Sequence, residues 1–200
     1  MMSVEKINYI KSLKNILMDF AEVVSTTEVT GVAIDSRKVE PGNLFLAYRG
    51  TNHNGLDYVN DAIVAGASAI AIDETEISSI ECHSIEIFKV PNLRKNAGLI
   101  ISKFYGNPSK NIEIVGVTGT NGKTTVSYLL AYTMQKLKRK SAFIGTLGNG
   151  LFGQIETSKT TTPDAVKLHS LFSLWENEVD FVAMEVSSHA LEQGRTEGTE

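Results

Sequence analysis

Two hundred residues, 42% hydrophobic and 21% charged, have the composition of a globular protein of one large or two ordinary domains. The formal net charge of −4 offers no footing for nucleic acid as a partner, although a small anionic ligand needs only local positive groups. The single cysteine, Cys82, excludes an intramolecular disulfide framework and suits a reducing compartment.

Glu5, Lys6, Lys11 and Lys14 interrupt the N-terminal apolar residues, which rules out a signal-peptide core, and no apolar run reaches membrane-spanning length. A cytoplasmic protein is expected. Ile7, Ile10, Leu13, Ile16 and Leu17 recur at helical spacing and predict an amphipathic helix over 4–20. In "VTGVAIDSRKVEPGNLFLAYRG" two apolar runs flank Pro41-Gly42, a strand–turn–strand pattern. Residues 56–66 read as a helix, "ASAIAID" as a buried strand, and "IEIFKV" as a strand ended by Pro91. A helix follows in "NLRKNAGLIISKFYG", with Asn92 as N-cap and Gly106 as stop.

The polar cluster "GNPSKN" at 106–111 is the expected boundary between domains at 1–107 and 108–200. Beyond it, "IEIVGVTG", "SAFIGTLG" and "VDFVAMEVSS" read as strands, alternating with helices over 122–138 and 163–177, the latter with Pro163 at or near N1. Apolar strands alternating with helices predict an α/β protein with a mostly parallel, doubly wound sheet. Three strands and a polar ending, "GRTEGTE", are few for such a domain, so a piece of a longer enzyme is expected.

The segment "VGVTGTNGKTTVSYLL" carries the most chemistry. It departs from G-x-x-x-x-G-K-[ST], because Val117 stands five before Gly122 and Gly116 lies one residue too early. Even so, a buried strand runs into Gly119, Thr120, Asn121, Gly122, Lys123, Thr124 and Thr125, and a helix follows. Free amides at the helix start and its dipole favour an anion there. Gly119 and Gly122 allow close backbone approach, Lys123 can neutralise phosphates, and the Thr124 hydroxyl suits Mg²⁺. A bare glycine-rich turn with an exposed lysine explains the G-K-T-T run less well than a nucleotide site.

Three further segments stand out. Asp35-Ser36-Arg37 at a strand end could hold a phosphate or sugar, or be a turn with a solvated charge pair. The hydroxyls of "TTTPD", Thr160 to Asp164, precede a helix and read equally well as N-caps or as ligand contacts. In "MEVSSHALEQGR", Glu185 ends a buried strand at the sheet edge where α/β folds bind ligands, well placed for Mg²⁺ or for ordering water. His189 has no second His or Cys at ligand spacing, and His83 and His169 read as surface or core residues.

Taken together, "GVTGTNGKTT", "DSRKVEPGNLFLAYRG", "NGLDYVNDAIVAGASAIAIDE", "TTTPDA" and "MEVSSHALEQGR" resemble the Mur ligases of bacterial cell-wall synthesis over about residues 28–195. The last two narrow the resemblance to the MurE type, which adds an amino acid to UDP-N-acetylmuramoyl-L-alanyl-D-glutamate. The resemblance implies an N-terminal uridine-nucleotide-binding α/β domain followed by the first part of a P-loop ATPase domain. ATP would activate the D-glutamate side-chain carboxylate as an acyl phosphate, which the incoming amine then attacks. Positioning and charge neutralisation do most of the work in such chemistry.

Carried over by motif, Gly119 to Thr125 resemble the ATP loop, with Lys123 and Glu185 catalytic and Thr124 and Glu185 ligating Mg²⁺. Ile34, Ser36, Thr51, Asn52 and His53 match the uridine-nucleotide contacts. Thr161, Thr162, Ser187, Gln193 and Arg195 match contacts to the muramoyl-dipeptide, and Thr160 stands where relatives often have Asn. The family's carbamylated lysine, its metal-site histidine and its C-terminal, amino-acid-selecting domain have no counterpart in these residues. The 200 residues are therefore expected to fold and bind the uridine nucleotide without ligating, as a monomer, with meso-diaminopimelate favoured over lysine as the added amino acid. Folylpolyglutamate or cyanophycin synthetase-type ligases share the ATP loop but not the DSR segment. A non-catalytic UDP-sugar-binding module and a generic P-loop kinase or GTPase complete the alternatives.

Overall fold

The computed structural model describes residues 9–51, 53–75 and 85–200, which fall into two compact units, 1–100 and 101–200. Glu5, Lys6, Ile7, Asn52, Cys82 and His83, on which expectations rest above, lie outside the described residues.

In the first unit, β1 (Lys11–Ser12) pairs antiparallel with β2 (Glu28–Val29), and α1 spans only Leu13–Leu17. The helix expected over 4–20 is thus corrected. Ser12 is extended and precedes the helix, and the Leu13 amide bonds Thr27 O instead of an earlier turn. Leu13, Ile16 and Leu17 are buried as the periodicity required, while Ile10 is exposed.

A four-stranded parallel sheet follows, in the order β3 (Gly31–Ala33), β4 (Asn43–Ala47), β5 (Ala69–Asp73) and β6 (Glu86–Val90). The turn at Pro41-Gly42 therefore does not fold β3 back on β4; it ends a short crossover that returns the chain in the same direction. Gly42 supplies φ +90 there, with its carbonyl accepting from Thr30 N. Side chains alternate along the strands. Ala33, Phe45, Ala47, Ile70 and Ile72 share one core with Val59 and Ala62 of α2 (Val59–Val64). α3 (Leu93–Phe104) buries Leu93, Ala97, Ile100, Ile101 and Phe104 at helical spacing. Asn92 precedes it at φ +51, but the first helical amide, Leu93 N, is held by Asp73 Oδ2 at 2.8 Å.

The second unit holds β7 (Glu113–Val117), α4 (Lys123–Lys136), β8 (Ser141–Gly145), β9 (Gly148–Leu151), α5 (Ala165–Trp175), β10 (Phe181–Glu185) and α6 (Ser188–Glu192). The sheet order is β7-β10-β8-β9, with β10 parallel to both neighbours and β9 antiparallel to β8. Two layers of helix cover it. Ala142, Ile144, Val182, Met184 and Val186 join Leu168, Phe172 and Trp175 of α5 in one core. Phe143, Phe181 and Ala183 form the other with Ala131 of α4. The expected doubly wound arrangement is thus present, with an added antiparallel edge strand in the glycine-rich "GNGL". Asp164 caps α5, its carboxylate accepting from Lys167 N at 2.9 Å, so Pro163, expected at or near N1, stands just before the cap. Among the described residues no helix is long and apolar enough to cross a membrane.

Candidate functional site

Strand alternation decides where the chemistry of the second unit gathers. Phe181 and Ala183 face α4, so Glu185, two further on, faces the loop that starts α4. A register one residue different would turn it towards α5. Its neighbour across the ladder is Val117, the last residue of β7. The loops after β7, β8 and β10 therefore leave one edge of the sheet side by side, at the carboxyl ends of parallel strands.

The loop after β7 turns through Gly119 at φ +139 and Gly122 at φ +79, conformations that side chains with a Cβ rarely adopt. Gly122 is the N-cap of α4 and no side chain caps it, so the first amides of a fourteen-residue helix remain open to an anion. Lys123 Nζ donates to Gly119 O at 2.7 Å, which arches the lysine back over the loop. Thr120, Asn121 and Thr125 are exposed around it.

Glu185 is 1% exposed, and both carboxylate oxygens accept hydrogen bonds. Thr124 Oγ1 donates to Oε2 at 2.9 Å, Thr146 N to Oε1 at 2.8 Å, and Thr146 Oγ1 to Oε2 at 3.3 Å. No basic side chain pairs with it among the described residues. A buried carboxylate held by donors alone retains its attraction for a cation. Mg²⁺ takes hard oxygen ligands, commonly one or two carboxylates together with phosphate oxygens, so Glu185 and Thr124 fit it. Among the described residues no group of three or more His, Cys, Asp or Glu offers an all-protein cage.

The remaining residues of the second unit form a connected set. Thr161 Oγ1 lies 3.1 Å from Thr146 Oγ1. Thr162 is 1% exposed, and its hydroxyl is committed internally, donating to Glu185 O at 2.8 Å and accepting from Ser187 N at 3.1 Å. Ser187 caps α6 by accepting from Ala190 N. Arg195 donates to Thr162 O at 2.7 Å and grips Gln193 Oε1 at 2.9 and 2.7 Å. Thr160 is exposed, with its backbone N and O bonded to the Ser158 hydroxyl, and His189 is exposed on α6. Thr146 was missed in the sequence. Its signal was a Gly-Thr pair at the end of a buried strand, and Gly145 is needed there because a Cβ would collide with the Glu185 carboxylate.

In the first unit, Ile34 and Ser36 follow β3, and the segment from Tyr48 to His53 follows β4, again at carboxyl ends of neighbouring parallel strands. Ile34 and Ser36 are half-buried, and Thr51 and His53 are exposed. Gly50 N bonds His53 O at 2.9 Å and Gly55 N bonds Tyr48 O at 3.0 Å, which closes the loop tightly. His53 meets the Tyr58 ring edge-on with centroids 6.4 Å apart. Asp35 accepts from Arg37 Nε and Nη2 at 2.9 and 2.8 Å, and from Arg37 N at 3.1 Å. The side-chain bond from Arg37 lowers the Asp35 pKa below its ordinary 3.8, while the Arg37 side chain is 87% exposed. The guanidinium of the DSR segment is thus engaged in a solvated pair.

The family description "Mur ligase family, catalytic domain" matches residues 28–119, and "Mur ligase middle domain" matches residues 117–200. The chain is similar to the UDP-N-acetylmuramoyl-L-alanyl-D-glutamate–2,6-diaminopimelate ligase of Haemophilus influenzae (strain PittEE), with 41% identity over 187 residues, 90% of this chain and 38% of that protein. It is similarly close to the ligase of the same name from Pseudomonas putida, 40% identical over 182 residues, 90% of this chain and 37% of that one. A solved structure of a ligase of that name superposes with a TM-score of 0.76 at 30% identity, covering 94% of this chain and 38% of the other. The D-alanyl-D-alanyl-adding ligase of Acinetobacter baumannii, with a TM-score of 0.60 and 16% identity over 90% of this chain and 37% of its own, shares the fold. The chain spans about 38% of the length of the first of these relatives.

Proposed function

The chain belongs to the Mur ligase family, and from that premise we propose that it carries the uridine-nucleotide-binding and ATP-binding parts of an ATP-dependent ligase. The ligase adds an amino acid, meso-diaminopimelate, to UDP-N-acetylmuramoyl-L-alanyl-D-glutamate. The relatives named for diaminopimelate support that choice of amino acid. Residues 1–107 bind the uridine nucleotide through Ile34, Ser36, Thr51, Asn52 and His53. Residues 108–200 bind ATP and face the muramoyl-dipeptide with Thr160, Thr161, Thr162, Ser187, Gln193 and Arg195. The protein works as a cytoplasmic monomer on soluble substrates, with neither membrane nor nucleic acid as a partner.

The observation that carries this reading is the Thr124–Glu185 pair beneath the uncapped start of α4. The open amides of α4 and Lys123 hold the ATP phosphates, and Gly119 and Gly122 let the backbone reach them. When bound, Mg²⁺ withdraws charge from the phosphate oxygens, and Glu185 and Thr124 would hold it. The D-glutamate carboxylate oxygen bonds to the γ-phosphorus as the bond to ADP breaks. The amine nitrogen then bonds to the activated carbon, phosphate leaves, and the nitrogen loses a proton. Burial of Glu185 and the internal bonds of Thr162 keep this region ordered before substrate arrives.

Isothermal titration of the 200-residue chain tests the reading. Saturable binding of UDP-N-acetylmuramoyl-dipeptide and of Mg²⁺-ATP, with no binding of folate, is the expected result. Failure to bind either nucleotide would overturn it. Tripeptide formation by these 200 residues alone would overturn the assignment of the remaining catalytic groups to residues beyond them.

A further inference from the structure

The geometry points to Thr146 as a positioning residue that seats the Glu185 carboxylate and links it to the loop carrying Thr161, an inference that rests on the nucleotide-site reading above. Thr146 is the first residue past β8, and the last β8–β10 ladder pair is Ile144 with Met184. Its amide is thereby released from the sheet and bonds the Glu185 side chain instead, at 2.8 Å. Gly145 vacates the space that Oε1 fills. Together, Gly145 provides the room and Thr146 two donors, one for each carboxylate oxygen. Rotation of the carboxylate about its last bond would break both.

Hydrogen accounting gives the linkage a direction. A carboxylate only accepts, so the single Thr146 hydroxyl hydrogen goes to Glu185 Oε2 at 3.3 Å. The Thr161 hydroxyl must then donate to Thr146 Oγ1 across 3.1 Å. The chain Thr161 to Thr146 to Glu185 crosses from a half-buried hydroxyl to a buried oxygen within one bonded path. Thr124 meets the same Oε2 from the nucleotide loop. One carboxylate oxygen is therefore shared by the loop proposed for ATP and, through Thr146, by the loop proposed for the second substrate.

The test reads ATP affinity of the 200-residue chain by titration, once with Mg²⁺ and once with EDTA, so that the metal-dependent gain is separated from phosphate binding. Thr146→Val keeps shape and amide but removes the hydroxyl. It should reduce the metal-dependent gain about tenfold, the scale on which groups orienting a metal ligand act. Affinity in EDTA should stay unchanged, and Thr146→Ser should restore the gain. Thr161→Val should act in the same direction but more weakly, and should add nothing in the Thr146→Val background. An unchanged gain in Thr146→Val overturns the proposal, as does an equal loss with and without metal. Fluorescence of the single tryptophan, Trp175, confirms that each variant is folded. Lys123→Ala separates the two readings: if it leaves ATP affinity intact in both conditions, the nucleotide site is refuted whatever Thr146 does.

Discussion

Both units place their candidate residues at the carboxyl ends of parallel strands, yet they treat polar groups in opposite ways. In the second unit a fully buried carboxylate is ringed by hydroxyls and amides that bond it and one another. In the first, Ile34, Ser36, Thr51 and His53 are half-buried or exposed, and the ion pair beside them is solvated. The difference is one of preorganisation. A site that must stabilise charge during a reaction gains from dipoles fixed in advance, whereas a handle that only holds one end of a substrate can be ordered by the ligand. Substitutions should therefore be felt strongly in the second unit and weakly in the first.

The strongest attempt to break that contrast is Glu185→Ala. It should abolish the metal-dependent part of ATP affinity. It should also lower the stability of the second unit by roughly 2–3 kcal/mol, since Thr146 N and the Thr124 hydroxyl lose their acceptor. Urea unfolding followed by Trp175 fluorescence measures the latter. Gly145→Ala comes next. Its methyl group would press into the Glu185 carboxylate and the Phe143 ring, with an expected cost of about 1–3 kcal/mol and a displaced carboxylate. A variant that unfolds at the wild-type midpoint would mean that the seat is slack.

A third prediction uses acid. His169 on α5 is buried, with Nε2 3.0 Å from Glu197 O, its ring edge-on to Phe172, and Nδ1 unpaired among the described residues. Burial pushes its pKa below the ordinary 6.5, against the opposing pull of the Glu197 carbonyl. The unfolded chain then binds a proton more readily than the folded one, so stability rises with pH. It is complete above about pH 6.5 and falls as pH drops below that value. Urea midpoints at pH 8 and 5.5 should differ in this sense, and His169→Leu should flatten the difference.

Sequence periodicity served well where a helix or strand buries a continuous face, as for α5, β5 and β10, whereas β7, expected to be buried, is an edge strand of half-buried and exposed residues. It failed where pairing, not patterning, decides. Lys11–Ser12 leave the expected helix because Val29 and Glu28 offer them a partner strand. "GNGL" has no apolar run to mark β9, which exists because β8 accepts it and because its glycines admit the close chain at Gln154 to Glu156. The site shows the same division. Gly119 to Thr125 and Glu185 were legible from a strand end, glycines and a buried charge. Thr146 was not picked out, since its Gly-Thr pair after a strand gains meaning only when the neighbouring strand brings Glu185 beside it. Thr162 could be located from sequence, but its two internal bonds could not.

The smallest expected effect lies in the first unit and tests the contrast from the other side. Asp35 and Arg37 form an ion pair there, with two side-chain bonds at 2.9 and 2.8 Å. In a buried setting, removing the cation would leave an expensive charge. Here Arg37 is 87% exposed, and water replaces the guanidinium around Asp35. Asp35 also keeps its bond from the backbone amide of residue 37, which holds the turn. Arg37→Ala should therefore lower the unfolding midpoint of the first unit at pH 7 only slightly. What should move is the titration of Asp35 itself. Its lowered pKa is due first to the Arg37 side chain, so in Arg37→Ala it should rise, as followed by carboxyl NMR. The folded-state depression contributes stability above the unfolded pKa of 3.8 that is lost as pH falls through the lower folded value, and the variant should lack most of it. A loss of stability at pH 7 on the scale of Glu185→Ala would show that the first unit is as tightly wired as the second, and the contrast between them would fall.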